Sequence, residues 1–489
     1  MSISETKKKF AFDVGWVFLS TVIVFILHFF QNPVMAKFLG PSGLGLFSMV
    51  VMIGGIISLI AGLGIESAIV KYVAEYKKDK NTLDALFSSG LITRAFLGTT
   101  AGVVLFMFSD TLASIFNMPS LSFLLKIYAF VFPFLLTYEG IMGLFKGLRE
   151  MKYFSLINTL QGILSFSFIL AILFAGFGVR GAVEGQILAV IIVFLLSSIT
   201  MRKFVNFSIS NYKKNVKKLA SFGTQVMFAN TINLVNYQAD ILLIGYFLTA
   251  TDVGYYAVAV SLSRFFWRIP RSIQIVSSPA TTEYWTRGEI HSLNKLIDKS
   301  MKYSAFLLLI VGLGTWLFAK DIIIFLFGES FIPSIFPLRI LLVGTVLFGI
   351  VKSIGGTLPA IGRPDLSLKI TTTGAIANVV LNILFIPHLG IAGAATATVT
   401  SLIIISILLI YYISKLTKAS LDLKWYALVF MVTLLAMLVF SICSEWVKSY
   451  FLGSLILCAY IALFFKFFLT REDKVTFKEL IRSIVSKMK

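Results

Sequence analysis

Apolar runs of about 20 residues recur along the whole chain, and they restrict its possible folds more than any other feature. A run of this length spans the hydrocarbon core of a bilayer as a helix. Of the 489 residues, 58% are hydrophobic and only 13% are charged, and the mean hydropathy is +0.91. Soluble proteins have roughly 25% charged residues. We therefore predict an all-α integral membrane protein without a large soluble domain.

Fourteen membrane-spanning helices fit the pattern of these runs. Several of them contain Gly, Pro, Asn or Thr, and the seventh is the most polar. The predicted limits are 12–38, 43–70, 84–108, 120–145, 153–175, 180–201, 218–246, 251–278, 301–319, 332–354, 366–386, 391–414, 424–443 and 450–468.

Lysine and arginine are distributed unevenly between the two sides of these spans. Of the 43 Lys and Arg residues, 31 lie on the side that holds both termini, and the opposite side has only Lys37, Arg180, Lys320 and Lys448. By the positive-inside rule, the protein is a multi-pass protein of the cytoplasmic membrane with both termini cytoplasmic. The net charge of +20 then belongs mostly to loops that face anionic lipid, so nucleic acid is not expected as a partner.

An internal repeat divides the chain. The segment 153–182, YFSLINTLQGILSFSFILAILFAGFGVRGA, aligns without gaps to 365–394, DLSLKITTTGAIANVVLNILFIPHLGIAGA, and a weaker match pairs 38–47 with 247–256. Shared membrane composition alone gives weak matches, but the common GxxGA favours a true repeat. Two parallel six-helix copies would rock around a central site. We predict halves at 1–206 and 207–418, with two extra helices and a basic tail at 419–489.

Three arginines stand inside the eighth predicted span, in the stretch SRFFWRIPR. Arg264, Arg268 and Arg271 are spaced i, i+4, i+7 and so share one helical face. A single charge at the bilayer centre costs roughly 2.5–3.5 kcal/mol on insertion scales. Such a face must therefore meet water, protein or an anion, and Pro270 should kink the helix beside it.

Further cations accompany these arginines in the second half. Arg339 lies within the tenth predicted span and Lys352 at its inner end. A cationic cavity opening inward suits a diphosphate, because guanidinium groups bind phosphate oxygens in a bidentate fork. The alternative for Arg268 and Arg271 is that their side chains snorkel to the cytoplasmic interface.

Polar side chains along the first and seventh predicted spans form a second candidate set. They would bind sugar hydroxyls, or else hold the helices together through hydrogen bonds. Asp240 is also a candidate for the coupling cation, although an interfacial position near the outer end of its span is an alternative. The set comprises Asn233, Asn236, Tyr237 and Asp240 of the seventh span, and His28 and Gln31 of the first.

Two carboxylates near the inner parts of the second and fourth spans, Glu66 and Glu139, are further ion-coupling candidates. Each would pair with an arginine inside the membrane or carry a proton, or else form an interfacial salt bridge with Lys71 or Lys146. Two cysteines and three scattered histidines give no ligand set for a metal. No cofactor is expected.

Several motifs resemble a known family. The stretches AKFLGPSGLGLFSM, QADILLIGYFLTATDVGYYAVA and GRPDLSLKITTTGAIANVVLNILFIPHLGIAGAATATV are similar to those of the polysaccharide-transporter (Wzx-type) flippases. This family belongs to the multidrug/oligosaccharidyl-lipid/polysaccharide (MOP) exporter superfamily. The resemblance runs from about residue 10 to 415 and implies a V-shaped bundle. It also implies movement of a polyprenyl-diphosphate-linked oligosaccharide from the inner to the outer leaflet.

Three other functions remain open at this point. A drug or organic-cation exporter of the same superfamily would favour an acidic or apolar cavity. A membrane enzyme acting on lipid-linked glycans would usually need a larger outer loop with catalytic groups, and a scramblase would only equilibrate the lipid. We expect a monomeric transporter coupled to a Na⁺ or H⁺ gradient or to the membrane potential. Its expected partners are membrane lipids and proteins of glycan assembly or polymerisation.

Overall fold

The computed structural model describes residues 3–419, 421–444 and 449–468, and within these ranges every regular element is helical. This confirms the predicted all-α class; the predicted cytoplasmic tail lies outside the described residues. The helices are α1 Ile3–Ala61, α2 Ile65–Glu75, α3 Lys80–Ile115, α4 Pro119–Ala129, α5 Phe132–Leu148, α6 Met151–Phe174, α7 Gly178–Met201, α8 Tyr212–Phe247, α9 Ala250–Arg264, α10 Arg268–Thr286, α11 Ile290–Leu317, α12 Ala319–Phe327, α13 Ile335–Lys352, α14 Thr357–Ala360, α15 Pro364–Thr417, α16 Leu423–Cys443 and α17 Ser449–Leu463.

The helices have the length and polarity of a multi-pass membrane protein. Within the described ranges, nine are long and apolar enough to cross a membrane, or ten if the bent pair α4 and α5 forms one span. Two of these stretches, Phe12–Ala61 and Pro364–Thr417, have 50 and 54 residues. At 1.5 Å per residue each is more than twice the roughly 30 Å of the hydrocarbon core. Each is therefore long enough to cross the membrane twice. The total of fourteen membrane-spanning helices stays a prediction.

Both long helices are interrupted where two spans were predicted to meet. Gly40 in α1 has φ 66° and ψ −178°, and Gly390 in α15 has φ 58° and ψ −141°. Only glycine adopts such conformations readily, and Pro41 further disfavours helical geometry at Gly40. Gly178, the repeat counterpart of Gly390, has φ 55°. The same backbone feature at equivalent positions supports the internal repeat.

The chain forms two compact units. The first comprises the described residues up to Val258 together with Leu326–Phe331 and Val379–Ala394. The second comprises Ala259–Phe325, Ile332–Asn378 and the described residues from Ala395 onward. These units differ from the predicted halves because α8 packs against α1, α2 and α3 in the first unit. The boundary between the halves at 206 and 207 stays a prediction.

A reciprocal glycine contact joins α1 to α9 inside the first unit. A Cβ atom on Gly45 would lie 1.7 Å from the carbonyl oxygen of Ala250, and a Cβ on Gly254 would lie 2.0 Å from that of Pro41. The repeat match of 38–47 with 247–256 pairs Gly45 with Gly254 and Pro41 with Ala250. The two copies therefore meet through equivalent residues, which further supports the repeat.

The first unit has an apolar core formed mainly by α2, α3 and α5. Ile69, Leu86, Phe87, Ile141 and Phe145 are each at most 1% exposed within it. Burial of one such side chain contributes roughly 1.5–3 kcal/mol. This core fixes the three helices that carry the charged side chains described below.

The last two described helices, α16 and α17, pack against α11 in the second unit. They are joined by a hydrogen bond of 2.8 Å between the hydroxyls of Thr433 and Tyr460, both buried. The indole N–H of Trp425 donates to the carbonyl of Phe468 at 3.2 Å. The predicted addition outside the repeat is thus a helix pair with its own polar contacts.

Candidate functional site

The eighth predicted span is broken at its arginines. Helix α9 ends at Arg264, a 3₁₀ turn covers Phe265–Trp267, and α10 begins at Arg268. Pro270 has no N–H to give to the carbonyl of Phe266, so a regular helix cannot continue through this point. The observed interruption is this 3₁₀ turn, and the kink at Pro270 stays a prediction. The spacing of the three arginines alone predicted that they share one helical face. The turn interrupts the helix between Arg264 and Arg268, so this face is not continuous.

The break places Arg264 beside an aromatic side chain that also contacts Lys352. The Arg264 guanidinium carbon lies 5.5 Å from the Trp267 ring centroid, and the Lys352 Nζ lies 4.5 Å from it. Lys352 Nζ is also 5.3 Å from the Phe348 ring. These are cation–π distances. We call Arg264, Trp267, Phe348 and Lys352 the tryptophan cluster.

Trp267 is held in a fixed position within this cluster. Its indole N–H donates to the carbonyl oxygen of Thr345 at 3.1 Å, and its ring packs edge-on against Phe348 at 5.4 Å. Both partners belong to α13, so the tryptophan joins the broken span to that helix. Two cationic side chains around one ring form an arrangement that can bind an anion with several oxygen atoms.

The remaining predicted cations, Arg268, Arg271 and Arg339, are not members of the tryptophan cluster. Arg268 and Arg271 are exposed on α10, one and two turns beyond the cluster. Arg339 precedes Lys352 by 13 positions on α13, about 20 Å at 1.5 Å per residue. Its guanidinium lies 4.5 Å from the Trp316 ring, and its Nε donates to the Trp316 carbonyl at 3.3 Å. The structure thus brings Arg264 and Lys352 together and separates Arg339 from them.

Asp240 is buried within the first unit. It is 2% exposed, and the hydroxyl of Tyr256, itself 0% exposed, donates to its Oδ2 at 2.6 Å. The backbone N–H of Ile241 donates to Oδ1 at 3.2 Å. One helical turn earlier, Asn236 is 2% exposed, and neither polar atom of its side chain has a hydrogen-bond partner among the described residues. The side-chain oxygen atoms of Asn236 and Asp240 therefore lie on one buried face of α8, and such oxygen atoms are ligands for hard cations.

The other polar residues of the first and seventh predicted spans are more accessible. Asn233 and His28 are exposed, whereas Tyr237 and Gln31 are half-buried. The Asn233 amide donates to the carbonyl of Ala229 in its own helix at 3.0 Å, and Gln31 contacts Met35 Sδ at 3.7 Å. Their predicted role in sugar binding stays a prediction.

The two candidate glutamates form different ion pairs. Glu66 pairs with Lys146 at 2.7 Å, both side chains being about one-third exposed, so the salt-bridge alternative is the one observed. Glu139 accepts a hydrogen bond from the Arg94 guanidinium, whose Nε also donates to the carbonyl of Leu136. Arg94 is 1% exposed, which makes it an arginine buried between helices of the first unit.

Arg94, Trp267, Phe348 and Tyr256 were not identified from the sequence as residues of these sites. A lone arginine inside an apolar span is itself a signal, so Arg94 could have been selected on that ground. Trp267 follows Arg264 by three positions, a spacing at which helical side chains meet. No local signal marks Tyr256 as the partner of Asp240, because 16 residues separate them.

The fold defines the class of the protein. The solved structure titled "Lipid II flippase MurJ, inward closed conformation" matches with a TM-score of 0.73 at 17% identity, covering 92% of this chain and 98% of that chain. This likeness shows a transporter fold.

The family follows from the sequence match. A family model described as "Polysaccharide biosynthesis protein" matches residues 10–285, more than half of the chain. The chain belongs to this family, which confirms the polysaccharide-transporter family that its motifs predicted. With this family match, the protein is a transporter rather than an enzyme.

Similar proteins come from archaea and bacteria. An uncharacterized membrane protein, MJ1068 of Methanocaldococcus jannaschii, is 26% identical over 86% of this chain and 87% of its own length. The lipopolysaccharide biosynthesis protein WzxC of Escherichia coli is 24% identical over 77% of this chain and 74% of its own length.

Proposed function

We propose that the protein moves a polyprenyl-diphosphate-linked oligosaccharide across the membrane by alternating access, with the diphosphate bound by Arg264 and Lys352. The tryptophan cluster is the observation that carries this proposal. Family membership and the similarity to WzxC, a lipopolysaccharide biosynthesis protein, support the glycan part. The cationic character of the cluster opposes export of an organic cation.

The position of the cluster suits a diphosphate inside the membrane. Arg264 lies 14 residues after the start of α9 at Ala250, about 21 Å along the helix. An anion at this depth loses most of its hydration and must regain those contacts from protein donors. A guanidinium supplies a planar fork and an ammonium supplies a point charge, and together they neutralise a diphosphate. Arg268 and Arg271 would attract the diphosphate from the basic side, where they are exposed.

Reconstituted vesicles test the proposal directly. Purified protein is expected to expose an enclosed polyprenyl-diphosphate oligosaccharide to an external lectin, whereas a phosphatidylcholine with a matched reporter stays enclosed. Movement of both lipids would indicate a scramblase and contradict the proposal. Movement of neither lipid under an imposed Na⁺ gradient, H⁺ gradient or membrane potential would contradict it as well.

The buried pair of Asp240 and Tyr256 is the proposed coupling site. Asp240 would hold Na⁺ or a proton, with the Tyr256 hydroxyl and the Asn236 amide as neighbouring oxygen groups. Asn233, Tyr237, His28 and Gln31 would bind sugar hydroxyls on more accessible surfaces. Glu66 and Glu139 would not carry the ion, because each is engaged by a cationic side chain.

Replacing Asp240 with asparagine should uncouple transport from the ion gradient. The loss of a charge-assisted contact is worth about 1.5–3 kcal/mol, so gradient-driven flipping should fall about ten- to a hundredfold. Flipping is measured in vesicles with and without an imposed Na⁺ or H⁺ gradient.

Glu66→Gln is the matched control for this prediction. It removes a carboxylate from a salt bridge whose side chains are about one-third exposed and which is worth about 0–1 kcal/mol, so gradient-driven flipping should be retained. If Glu66→Gln loses the gradient response and Asp240→Asn keeps it, the assignment of the coupling site is wrong.

The predicted orientation can be tested by cysteine labelling. In a background with Cys443→Ser and Cys458→Ser, an impermeant thiol reagent added to intact cells should label Arg180→Cys but not Lys213→Cys. The reason is the positive-inside rule, which places the basic segment around residue 213 in the cytoplasm. Lys213→Cys should react once the membrane is permeabilised. Labelling of Lys213→Cys in intact cells would reverse the orientation.

A further inference from the structure

A cavity lies beside the connection between α7 and α8, on the basic side of the first unit. It has a volume of about 420 Å³, within the range typical of small-ligand sites. We call it the linker cavity. Its walls include Ser88 and Leu91 of α3 and Arg202, Val205, Asn206 and Phe207 of the connection.

The connection is anchored so that the linker cavity stays open. The backbone N–H of Ser208 donates to Ser88 Oγ at 3.1 Å, and Lys80 donates to the carbonyl oxygen of Phe204. The Phe204 ring packs against Tyr153 at 5.2 Å, and Val205 is only 9% exposed. These contacts fix Phe204, Val205 and Ser208 of the connection against the helices, so the cavity is a feature of the fold.

The depth of the cavity corresponds to the boundary between headgroups and hydrocarbon. Helix α3 has 36 residues and is about 54 Å long. If a 30 Å hydrocarbon core is centred on it, about 12 Å remains at each end. Ser88 lies eight residues from the start of α3 and Leu91 eleven, at about 12 and 17 Å. The wall thus passes from the polar interface into the hydrocarbon layer.

The side chains that line the cavity likewise change from polar to apolar. Arg202 is exposed and makes no hydrogen bond or ion pair with any described residue, whereas Leu91 and Phe207 provide apolar surface. Phe207 and Ile209 are 64% and 60% exposed, which suits a segment that contacts lipid. The carboxylate of Asp84, one turn before Ser88 on α3, is paired with Lys80 at 3.2 Å. None of the described wall residues is acidic.

We propose that the linker cavity binds an anionic glycerophospholipid of the surrounding leaflet. Its phosphate would contact Arg202, with Asn206 beside it, and an acyl chain would lie along Leu91 and Phe207. A guanidinium is the preferred donor to phosphate, and basic residues at a membrane surface attract anionic lipid. The site shares no residue with the tryptophan cluster, and the bound lipid is a resident partner and not the transported molecule.

Native mass spectrometry of the full-length protein in detergent tests this site. The protein is titrated with phosphatidylglycerol or with phosphatidylcholine of the same chains. We expect Arg202→Ala to weaken phosphatidylglycerol binding about tenfold and to leave phosphatidylcholine binding unchanged. Arg202→Lys should lose less affinity than Arg202→Ala because it keeps the charge, and Arg202→Glu should lose more than Arg202→Ala.

The neighbouring residue provides the matched control. Lys203 is also an exposed cation, but it does not line the cavity. Lys203→Ala should change phosphatidylglycerol binding by less than about twofold. Equal losses in the two alanine variants, or no loss in either, would overturn the proposal.

Inorganic phosphate distinguishes a lipid site from a simple anion site. An excess of phosphate should displace phosphatidylglycerol only weakly, because it cannot occupy the apolar part of the cavity. Displacement at equal concentrations would overturn the lipid assignment. None of these measurements uses a lipid-linked glycan, so a failure here is distinguishable from a failure of the proposed flippase activity.

Discussion

Replacing Arg264 with alanine should abolish flipping of a polyprenyl-diphosphate oligosaccharide and leave the protein folded at its normal membrane level. A charge-assisted contact contributes about 1.5–3 kcal/mol, so binding should weaken roughly ten- to a hundredfold. Lys352→Ala should act in the same direction, because Lys352 faces the same tryptophan ring. Flipping is measured in reconstituted vesicles, and folding by gel filtration and thermal unfolding in detergent.

Arg339→Ala is the matched control for this experiment. Arg339 is likewise an arginine over a tryptophan ring, but it lies about 20 Å along α13 from Lys352. It was predicted from the sequence to line the same cavity, and on this geometry its loss should have the smaller effect on binding. Arg264→Lys should rescue only in part, because a point charge does not reproduce the bidentate fork.

The cationic-site proposal also requires a ranking among the other variants. Arg268→Ala should impair flipping more than Asn233→Ala, which removes one sugar contact among many. Asn233→Ala should in turn impair it more than replacement of the exposed Phe108. If Arg264→Ala and Arg268→Ala both transport normally, the proposed diphosphate site is wrong and these arginines are structural.

Removal of Arg94 should give the largest loss of stability. Replacing it with methionine leaves Glu139 facing a buried apolar side chain and the carbonyl of Leu136 without its donor. Breaking a buried ion pair costs about 3–5 kcal/mol. We expect the lower end of that range, because about one-third of the Glu139 side chain is exposed. The loss is measured as reduced thermal stability in detergent.

A double variant separates the ion pair from packing. Arg94→Met combined with Glu139→Gln removes both charges and should recover a large part of the stability lost in Arg94→Met. Lys126→Met is the control. It removes a lysine from an ion pair with Asp110, whose side chain is 69% exposed, so thermal stability should stay nearly unchanged. If the double variant is no more stable than Arg94→Met, the stabilisation comes from the packing of the arginine side chain and not from the pair.

The helical membrane class and the repeat could be predicted because they depend on local composition and spacing. Span length is a property of consecutive residues, and the glycines at 178 and 390 break the backbone in the same way because each copy makes the same turn. An interruption of the helix beside Pro270 was predictable for the same reason, since a missing N–H acts within one helical turn. The boundaries of the compact units were not predictable, because they depend on the packing of α8 against α1, α2 and α3.

By itself the sequence determined an all-helical membrane transporter, its family and the types of charged residues inside its spans. Only the tertiary structure decided the partners of those charges. Trp267 meets Lys352 across 85 positions, Arg94 meets Glu139 across 45, and Glu66 meets Lys146 across 80. The physical reason is that removing a charge from water costs free energy, so a buried charge requires a partner. The packing of the helices then decides which distant side chain comes within reach.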